Sequence, residues 1–332
     1  MRLHLTSAYR RRQALATLQA AAGSDRWGVH ELCPDPARAD VVLFVENGER
    51  ADPCYRRLLR HPLAAPGDGR AFMYNEYDYP YATLPGLYTS MPRRAFDPAR
   101  QAAFCYLHRP NRYVSAVATG RTRPELLYSF AGARNHRLRR RVLKLRDPRA
   151  HIEDTHAFSI WFDYDPAVFQ ARMKAYADLM ARSRFILCPR GAGTSSFRLF
   201  EAMEAARAPV VISDQWVQPD GPDWSFAVRV READLHTIPD LLRDLEGEAE
   251  DRGRRAREAW EQFYAPDAVF HHAAESIARL RARQSEWKPR SRWLPDREYA
   301  RVRINHWLLW PVYALRVVRR ERAARAHGGD VE

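Results

Sequence analysis

Short apolar runs and helical segments alternate along the first part of the chain. RLHLTS (2–7) and VVLFVEN (41–47) are apolar runs typical of short buried strands. QALATLQAAAG, which lies between them, is predicted to be a helix that ends at Gly23. This strand–helix–strand order predicts a parallel α/β sheet.

The segment that follows is rich in tyrosine and proline. FMYNEYDYPYATLPGLYTSMP (72–92) contains five tyrosines and three prolines, a composition that disfavours regular elements and predicts a structured loop. Further along, AVATGRTRPE (116–125) is polar and contains Gly and Pro, as linkers between domains often do. We therefore expect the first domain to end within this linker, at residue 122.

A second alternating set begins with LLYSFAG (126–132), which predicts a strand that runs into a glycine turn. The elements predicted after it are an Arg-rich helix, a strand at HIED, a helix over 166–183, a strand at FILCP, a helix at SSFRLFEAMEAAR and a strand over 209–214. The pattern predicts an α/β protein with two Rossmann-like domains, at 1–122 and 123–286. A basic, aromatic helical tail is predicted at 287–332.

Composition limits the class of partner and the compartment. The chain has 332 residues, and 54 Lys and Arg against 41 Asp and Glu give a formal net charge of +13. This excess predicts an anionic partner: a nucleic acid, a membrane surface or a phosphorylated small molecule. The four cysteines form no Cys-x-x-Cys, which argues against a zinc ribbon and a disulfide framework. Because no apolar run has the length of a signal peptide or a spanning helix, we expect a cytoplasmic protein.

One stretch combines the features of a phosphate-binding turn. In FILCPRGAGTSSFRLFEAM (185–203), an apolar strand runs into a Gly-x-Gly turn, and hydroxyl residues mark the start of the next helix. The first turn of a helix presents unpaired N–H groups, and glycines let a ligand approach the backbone. On this helix Arg198 and Glu201 share a face. The simpler alternative is a solvated ion pair between Arg198 and Glu201, with glycines that only shape the turn.

Other nucleotide-binding motifs fit the same turn less well. The chain has no Gly-Lys-Ser/Thr, so a Walker loop is excluded. Gly191-x-Gly193-x-x-Ser196 departs from the dinucleotide fingerprint at its third glycine, although Asp214 stands about where a ribose-binding acid would follow. Spacing alone therefore leaves a nicotinamide-dependent oxidoreductase open.

Two segments resemble those of a known enzyme family. Residues 188–242, from CPRGAGTSSFRLFEAM to the end of HTIPDLL, resemble the signature of the exostosin-type glycosyltransferases, which are inverting nucleotide-sugar enzymes. LLYSFAGARNHRLRRRVL (126–143) resembles the segment that opens their donor domain, whereas 1–120 matches only loosely. The resemblance implies a GT-B fold, in which two Rossmann-like domains face each other across a cleft. The donor then lies against the C-terminal domain and the acceptor against the N-terminal one.

The resemblance also implies roles for the residues of the donor site. Glu201 would hold the ribose hydroxyls of a nucleotide-diphosphate sugar, expected to be a UDP-sugar, and Arg198 and Arg190 would lie near the diphosphate. The other donor-site residues that it implies are Gly132, Arg134, Gly191, Gly193, Ser195 and Ser196. Fixed Arg and N–H donors stabilise the charge that develops on the leaving nucleoside diphosphate, so we expect neither a metal nor a cofactor.

Two acidic patterns bear on the chemistry. Asp163-x-Asp165 has the spacing of a metal-binding Asp-x-Asp, but Asp165 before a proline is also a typical helix N-cap, and we favour the N-cap. Inverting transfer needs a base for the acceptor hydroxyl, which a GT-B enzyme takes from its N-terminal half. Asp78 and Glu76, in the aromatic segment YNEYDYP, are the candidates, and Glu46 is the third.

The tail adds a candidate membrane contact. Residues 297–325 contain eight Arg and two Glu, a net charge of +6, around an apolar block with Trp307 and Trp310. Such a segment can lie on an anionic membrane surface or pack back across the other domain. A non-catalytic nucleic-acid-binding protein is the remaining alternative, but the arginines form no recognised nucleic-acid module, and we expect no such partner. The sequence thus predicts a glycosyltransferase with a polysaccharide or glycolipid acceptor.

Overall fold

The computed structural model of the protein describes residues 1–47, 52, 54–65, 69–107, 110–120, 122–157 and 165–284. Within these residues the chain forms two parallel sheets, each with helices packed on it. The predicted tail at 287–332, with its basic segment 297–325, lies outside the described residues. No described helix is both long enough and apolar enough to cross a membrane.

The first sheet has six strands in the order β2-β1-β3-β4-β5-β6, all paired in parallel. Its central strand β3 is buried at every position, as expected for a strand covered on both faces. The elements of this part of the chain are β1 (Arg2–Thr6), α1 (Gln13–Gly23), β2 (Glu31–Leu32), β3 (Val41–Glu46), α2 (Arg56–Leu59), β4 (Ala71–Asn75), β5 (Gly86–Tyr88), β6 (Gln101–Ala103) and α3 (Ser115–Thr119).

The second sheet has five strands in the order β11-β10-β9-β7-β8, again all parallel. Its first elements are β7 (Leu126–Gly132), α4 (Arg137–Val142), β8 (Ala150–Asp154), α5 (Pro166–Ala181), β9 (Ser183–Pro189) and α6 (Phe197–Glu204). The elements that complete this half are β10 (Ala208–Ile212), β11 (Val228–Val230), α7 (Ile238–Asp244), α8 (Ala249–Phe263) and α9 (Val269–Ala282). The strands and helices predicted for this half are confirmed, with shifts of a few residues at their ends.

The prediction of an irregular loop over 72–92 was wrong in part, because the segment contains β4 and β5. Tyr74 is fully buried in β4, and its hydroxyl donates to Glu76 Oε2 at 2.7 Å. Gly86 has a φ of 151°, and a Cβ there would collide with the carbonyl oxygen of Met73. A glycine at this position therefore lets β5 pair with β4 despite the neighbouring prolines.

The last described helix crosses back to the first sheet. α9 falls within the predicted second domain, 123–286, yet it packs against α1 and β5. His30 Nε2 lies 2.8 Å from Glu275 Oε1 of α9, and Ser24 Oγ donates to the carbonyl oxygen of Pro266 at 3.3 Å. The strands of the first sheet lie within residues 2–103 and those of the second within 126–230, but the first half takes its last covering helix from the far end of the described chain.

The two halves meet where the carboxyl ends of their strands face each other. Thr194 Oγ1, after β9, donates to the carbonyl oxygen of Ser90, after β5, at 2.8 Å. The Arg93 N–H donates to the carbonyl oxygen of Gln215, after β10, at 3.0 Å. The predicted GT-B architecture, with two Rossmann-like units across a cleft, is therefore confirmed.

Candidate functional site

The turn between β9 and α6 contains buried hydroxyls without partners. Ser195 and Ser196 are 7% and 5% exposed, and neither side-chain oxygen has a hydrogen-bond partner among the described residues. Ser196 precedes α6 in an extended conformation, but its side chain makes no capping bond. Buried hydroxyls are normally hydrogen-bonded, so two unpaired ones at the start of a helix indicate a place for a ligand that accepts hydrogen bonds.

Arg198, one turn into α6, is a buried cation. Its Nε and Nη2 donate to the carbonyl oxygen of Ala131 at 2.9 and 2.6 Å, while Nη1 is buried and has no partner in the described part of the chain. The guanidinium carbon lies 5.3 Å from the centre of the Phe130 ring. A buried cation without a carboxylate is costly unless an anion accompanies it, and we therefore assign Arg198 to an anion site.

Glu201 lies on the same face of α6, on the wall of a cavity of about 760 Å³ between the two halves. Its Oε2 is buried and makes no hydrogen bond of normal length within the described ranges, but the Tyr176 hydroxyl lies close enough to favour the charged form of the carboxylate. Burial raises the pKa of Glu201 to about 8, and the nearby charge of Arg198 opposes that rise only in part. The alternative of a solvated Arg198–Glu201 ion pair is wrong, because Arg198 is only 7% exposed and the two side chains form no ion pair.

The three glycines of the predicted site accommodate protein side chains. A Cβ at Gly132 would lie 2.8 Å from Arg198 Nη2, and one at Gly191 would lie 3.0 Å from Arg139 Nη2. A Cβ at Gly193 would lie 2.7 Å from Asp78 Oδ1 and would collide with the hydroxyl of Ser90. Glycine is therefore needed at these three positions, because guanidinium groups and side chains of the opposite half lie too close to the backbone to leave room for a Cβ.

Arg139, on α4, is a buried residue of this region that the sequence did not single out. It is 6% exposed and donates only to backbone carbonyls, those of Ala133, Pro189 and Arg190. Burial, and then the charge of Arg198, lower the pKa of the Arg139 guanidinium. Arg139 is one of five arginines in LLYSFAGARNHRLRRRVL, and no sequence pattern distinguishes it, because the distinction depends on which side chain faces β9.

Arg134 and Arg190 lie nearer the surface than predicted for a diphosphate cradle. Arg134 is exposed, and its Nε lies 3.3 Å from Asp154 Oδ2. Arg190 donates to the carbonyl oxygens of Gly191 and Ala192, and its Nη1 is 4.0 Å from Glu232 Oε1. These two arginines border the turn, but the structure does not bring them into the buried group.

The candidate bases occupy different environments in the first half. Glu76 is 8% exposed and accepts hydrogen bonds from Asn47 Nδ2, Tyr74 Oη and the Leu107 N–H at 2.7–2.9 Å. Glu46 is 1% exposed and accepts from Ser7 Oγ and the Ala8 N–H, both at 2.8 Å.

Asp78, by contrast, lies directly against the donor turn at Gly193. After burial, its charge is the largest influence that raises the pKa of Tyr106, and it acts on Arg139 in the other half as well. Of the three carboxylates, Asp78 is the one that faces the second sheet.

The cavity joins both halves at this point. The first half contributes Asn47, Glu76 and Tyr106 to its wall, and the second contributes Tyr176, whose buried hydroxyl lies near the Glu201 carboxylate. The rings of Phe197 and Phe200 pack edge-on against Tyr106 from α6. The wall therefore combines aromatic faces with unpaired polar atoms, the chemistry that binds a nucleoside or a sugar.

Asp214 and Asp165 do not line this cavity. Asp214 is exposed after β10, where its Oδ1 accepts from the Glu232 N–H at 3.0 Å. Asp163 lies outside the described residues, and Asp165 caps α5 by accepting from the N–H groups of Ala167 and Val168. The N-cap prediction for Asp165 is confirmed. Within the described ranges, no group of three or more His, Cys, Asp or Glu is arranged to hold a metal ion.

A model of the Exostosin GT47 domain matches residues 69–245, more than half of the chain. The chain belongs to the exostosin family of glycosyltransferases. The matched region begins just before β4 and ends just after α7, so it contains Asp78, Glu76 and the turn between β9 and α6, but not Glu46. The exostosin region also includes Arg139, whereas α1, α8 and α9, which complete the cavity wall, lie outside it. Of these three helices, α1 and α9 pack on the first sheet and α8 packs on the second.

Individual relatives match shorter segments. The Exostosin-1 homolog of Caenorhabditis elegans is 46% identical over 70 residues, which are 20% of this chain and 18% of that protein. Exostosin-1 of Drosophila melanogaster is 34% identical over 93 residues, 27% of this chain and 12% of that protein. The exostosin chain described here thus matches less than a fifth of the length of these relatives.

Among solved structures, an alpha-glucosyltransferase bound to UDP and DNA is similar with a TM-score of 0.42 and 10% identity, over 84% of this chain and 99% of that one. WaaG, a glycosyltransferase of lipopolysaccharide biosynthesis, is similar with a TM-score of 0.37 and 10% identity, over 84% and 98% of the two chains.

Proposed function

We propose that this exostosin chain is an inverting glycosyltransferase that moves a sugar from a UDP-sugar to a saccharide or lipid-linked saccharide acceptor. The observation that carries the proposal is the group of buried, unpaired polar atoms along one turn and helix. Its members are the hydroxyl oxygens of Ser195 and Ser196, Nη1 of Arg198 and Oε2 of Glu201. Native proteins leave few such atoms unpaired, so four of them within seven residues support a ligand site.

The unpaired groups match the parts of a nucleoside diphosphate. Glu201 Oε2 can accept from ribose hydroxyls, and Arg198 Nη1 with the serine hydroxyls can donate to phosphate oxygens. As the glycosidic bond breaks, negative charge develops on the leaving diphosphate. A guanidinium held in place by the Ala131 carbonyl and shielded from water stabilises that charge without moving.

We propose Asp78 as the base that takes the proton of the acceptor hydroxyl. It lies across the cleft from the donor turn, beside Gly193, where an acceptor held by the first half would meet the donor. Glu76 is a weaker candidate because three hydrogen-bond donors already stabilise its charged form. We propose instead that Glu76 positions Asn47 and Tyr74 at the cavity.

A donor screen tests the proposal. The protein is incubated with several nucleotide sugars and a mixture of oligosaccharide acceptors, and release of the nucleoside diphosphate is measured. We expect release from a UDP-sugar, a product of inverted anomeric configuration by NMR, and full activity in EDTA. Complete loss of activity on chelation, restored by manganese, would contradict the metal-independent mechanism, and the absence of release from every nucleotide sugar would contradict the function.

The Asp78→Asn variant tests the base. Transfer should fall by about 100-fold or more, because general base catalysis typically contributes that factor. Affinity for UDP should stay the same or increase, because the variant removes a negative charge beside the phosphate site. A variant that keeps wild-type kcat would exclude Asp78 as the base.

A further inference from the structure

Arg139 is a second buried cation beside the proposed donor site. Three of the five guanidinium N–H groups donate to the carbonyl oxygens of Ala133, Pro189 and Arg190, at 3.5, 3.4 and 3.3 Å. These are long hydrogen bonds, and the side chain forms no ion pair with any described carboxylate. The remaining two N–H groups therefore have no protein acceptor in the described chain.

The surroundings of Arg139 are positively charged. The guanidinium carbons of Arg139 and Arg198 lie 5.9 and 5.3 Å from the centre of the same Phe130 ring. His136, which caps α4, has its pKa lowered to about 4 by burial and then by the charges of Arg190, Arg137 and Arg139. The charge of Arg198 lowers the pKa of Arg139, so the two cations repel in this buried environment, and an anion bound beside them would stabilise both.

The two arginines lie against different parts of the site. Arg198 is three residues from Glu201 on α6 and lines the cavity. Its Nη2 lies 2.8 Å from the place that a Cβ of Gly132 would take. Arg139 lies beside the turn, with Nη2 3.0 Å from the place that a Cβ of Gly191 would take. In addition, the charge of Asp78, the carboxylate that faces the turn from the first half, acts to raise the pKa of Arg139. If Glu201 holds the ribose, Arg139 is therefore farther along the ligand than Arg198, on the side of the acceptor half.

We infer that Arg139 binds the second, leaving phosphate of the donor diphosphate, while Arg198 binds the phosphate next to the ribose. This inference rests on the proposed function, because it requires a nucleoside diphosphate in the cleft. It adds a residue from α4, in the first part of the second sheet, to a site whose other buried members lie on the turn before α6 and on α6 itself. It also explains why α4 must hold an arginine against β9 when no carboxylate pairs with it.

The test compares UDP, UMP and uridine by calorimetry for wild type, Arg139→Met and Arg141→Gln. Methionine is similar in length to arginine, and it removes three long hydrogen bonds together with a buried charge, so this variant should fold. We expect its affinity for UDP to fall about 10- to 100-fold, its affinities for UMP and uridine to stay within about twofold, and its Tm without ligand to stay within about 5 °C of wild type. Arg141 is the matched control, because it lies on α4, is exposed, and also donates to backbone carbonyls, those of Glu232 and Ala233. Arg141→Gln should leave all three affinities unchanged.

Three outcomes would overturn the inference. UDP affinity equal to wild type in folded Arg139→Met would show that Arg139 does not contact the diphosphate. An equal loss for UDP, UMP and uridine, with a lower Tm, would show that Arg139 only supports the turn, and Arg139→Gln should then behave in the same way. Wild-type protein that binds no UDP would instead overturn the proposed function, and this inference with it.

Discussion

The buried carboxylates on the two sides of the cleft differ in their hydrogen bonding. On the first half, Glu46 and Glu76 accept two and three hydrogen bonds from other described residues. On the second half, Ser195, Ser196 and Glu201 each have a buried oxygen that makes no hydrogen bond of normal length within the described part of the chain. The difference shows that burial of a polar residue in a cleft does not identify a ligand site. Unpaired atoms do, because a fold that supplies no partner leaves the ligand to supply one.

The largest expected effect is that of replacing Arg198, the buried cation of the second half. Arg198→Ala should weaken UDP binding by about 10- to 150-fold, because hydrogen bonds to charged groups contribute about 1.5–3 kcal/mol. Uridine, which has no phosphate, should bind within about twofold of wild type. Calorimetry with both ligands measures the difference. Equal losses for UDP and uridine would mean that Arg198 holds the helix and not the phosphate.

Substitution of Glu76, on the first half, should lower the stability of the protein without weakening UDP binding. Glu76→Gln places an amide where three donors converge, so at least one buried donor loses its acceptor, at a cost of about 1–3 kcal/mol in the free energy of unfolding. Affinity for UDP should stay within about twofold. Urea unfolding followed by UDP titration checks both parts. Unchanged stability together with lost UDP binding would show that Glu76 serves the ligand and not the fold, and the two halves would then not differ in this respect.

A smaller effect is expected at the carboxylate of the donor site. At about pH 9, where Glu201 is mostly charged in the free protein, Glu201→Gln replaces a charged acceptor by a neutral amide of the same size, so UDP and uridine should both bind roughly tenfold more weakly. Arg254→Gln is a suitable control, since Arg254 forms a solvated pair with Glu258 on α8 and should change neither affinity. Wild-type affinities in folded Glu201→Gln would exclude Glu201 from the ribose site.

The smallest expected effect is the pH dependence of uridine binding. Burial raises the pKa of Glu201 to about 8 in the free protein, and ribose hydroxyls that donate to the carboxylate favour its charged form. Binding therefore releases a proton below pH 8, and affinity should rise as pH increases, by about fivefold from pH 7 to pH 8. Uridine is used because it has no phosphate that titrates in this range. A flat profile, or an equal rise in Glu201→Gln, would contradict this account.

Local sequence patterns predicted the second half better than the first. The alternation of FILCP, the glycine turn and the amphipathic α6 located β9, the turn and the shared face of Arg198 and Glu201, because these features repeat within a few residues. β4 and β5 were missed, since Pro and Tyr dominate their surroundings and pairing along the sheet decides their conformation. Arg139 and the crossing of α9 were missed for the same reason: each depends on contacts between segments that are distant in the sequence.

The crossing of α9 has a consequence for how the chain acquires its shape. The first sheet is complete once residue 103 has been made, but the surface of α1 that α9 covers stays open until residue 282. During synthesis the ribosome must therefore produce the entire second half before the first half can close. A fragment that ends at residue 122 would expose that surface permanently and would be prone to aggregate. A separate peptide that spans α9 should cover the surface and restore the solubility of the fragment.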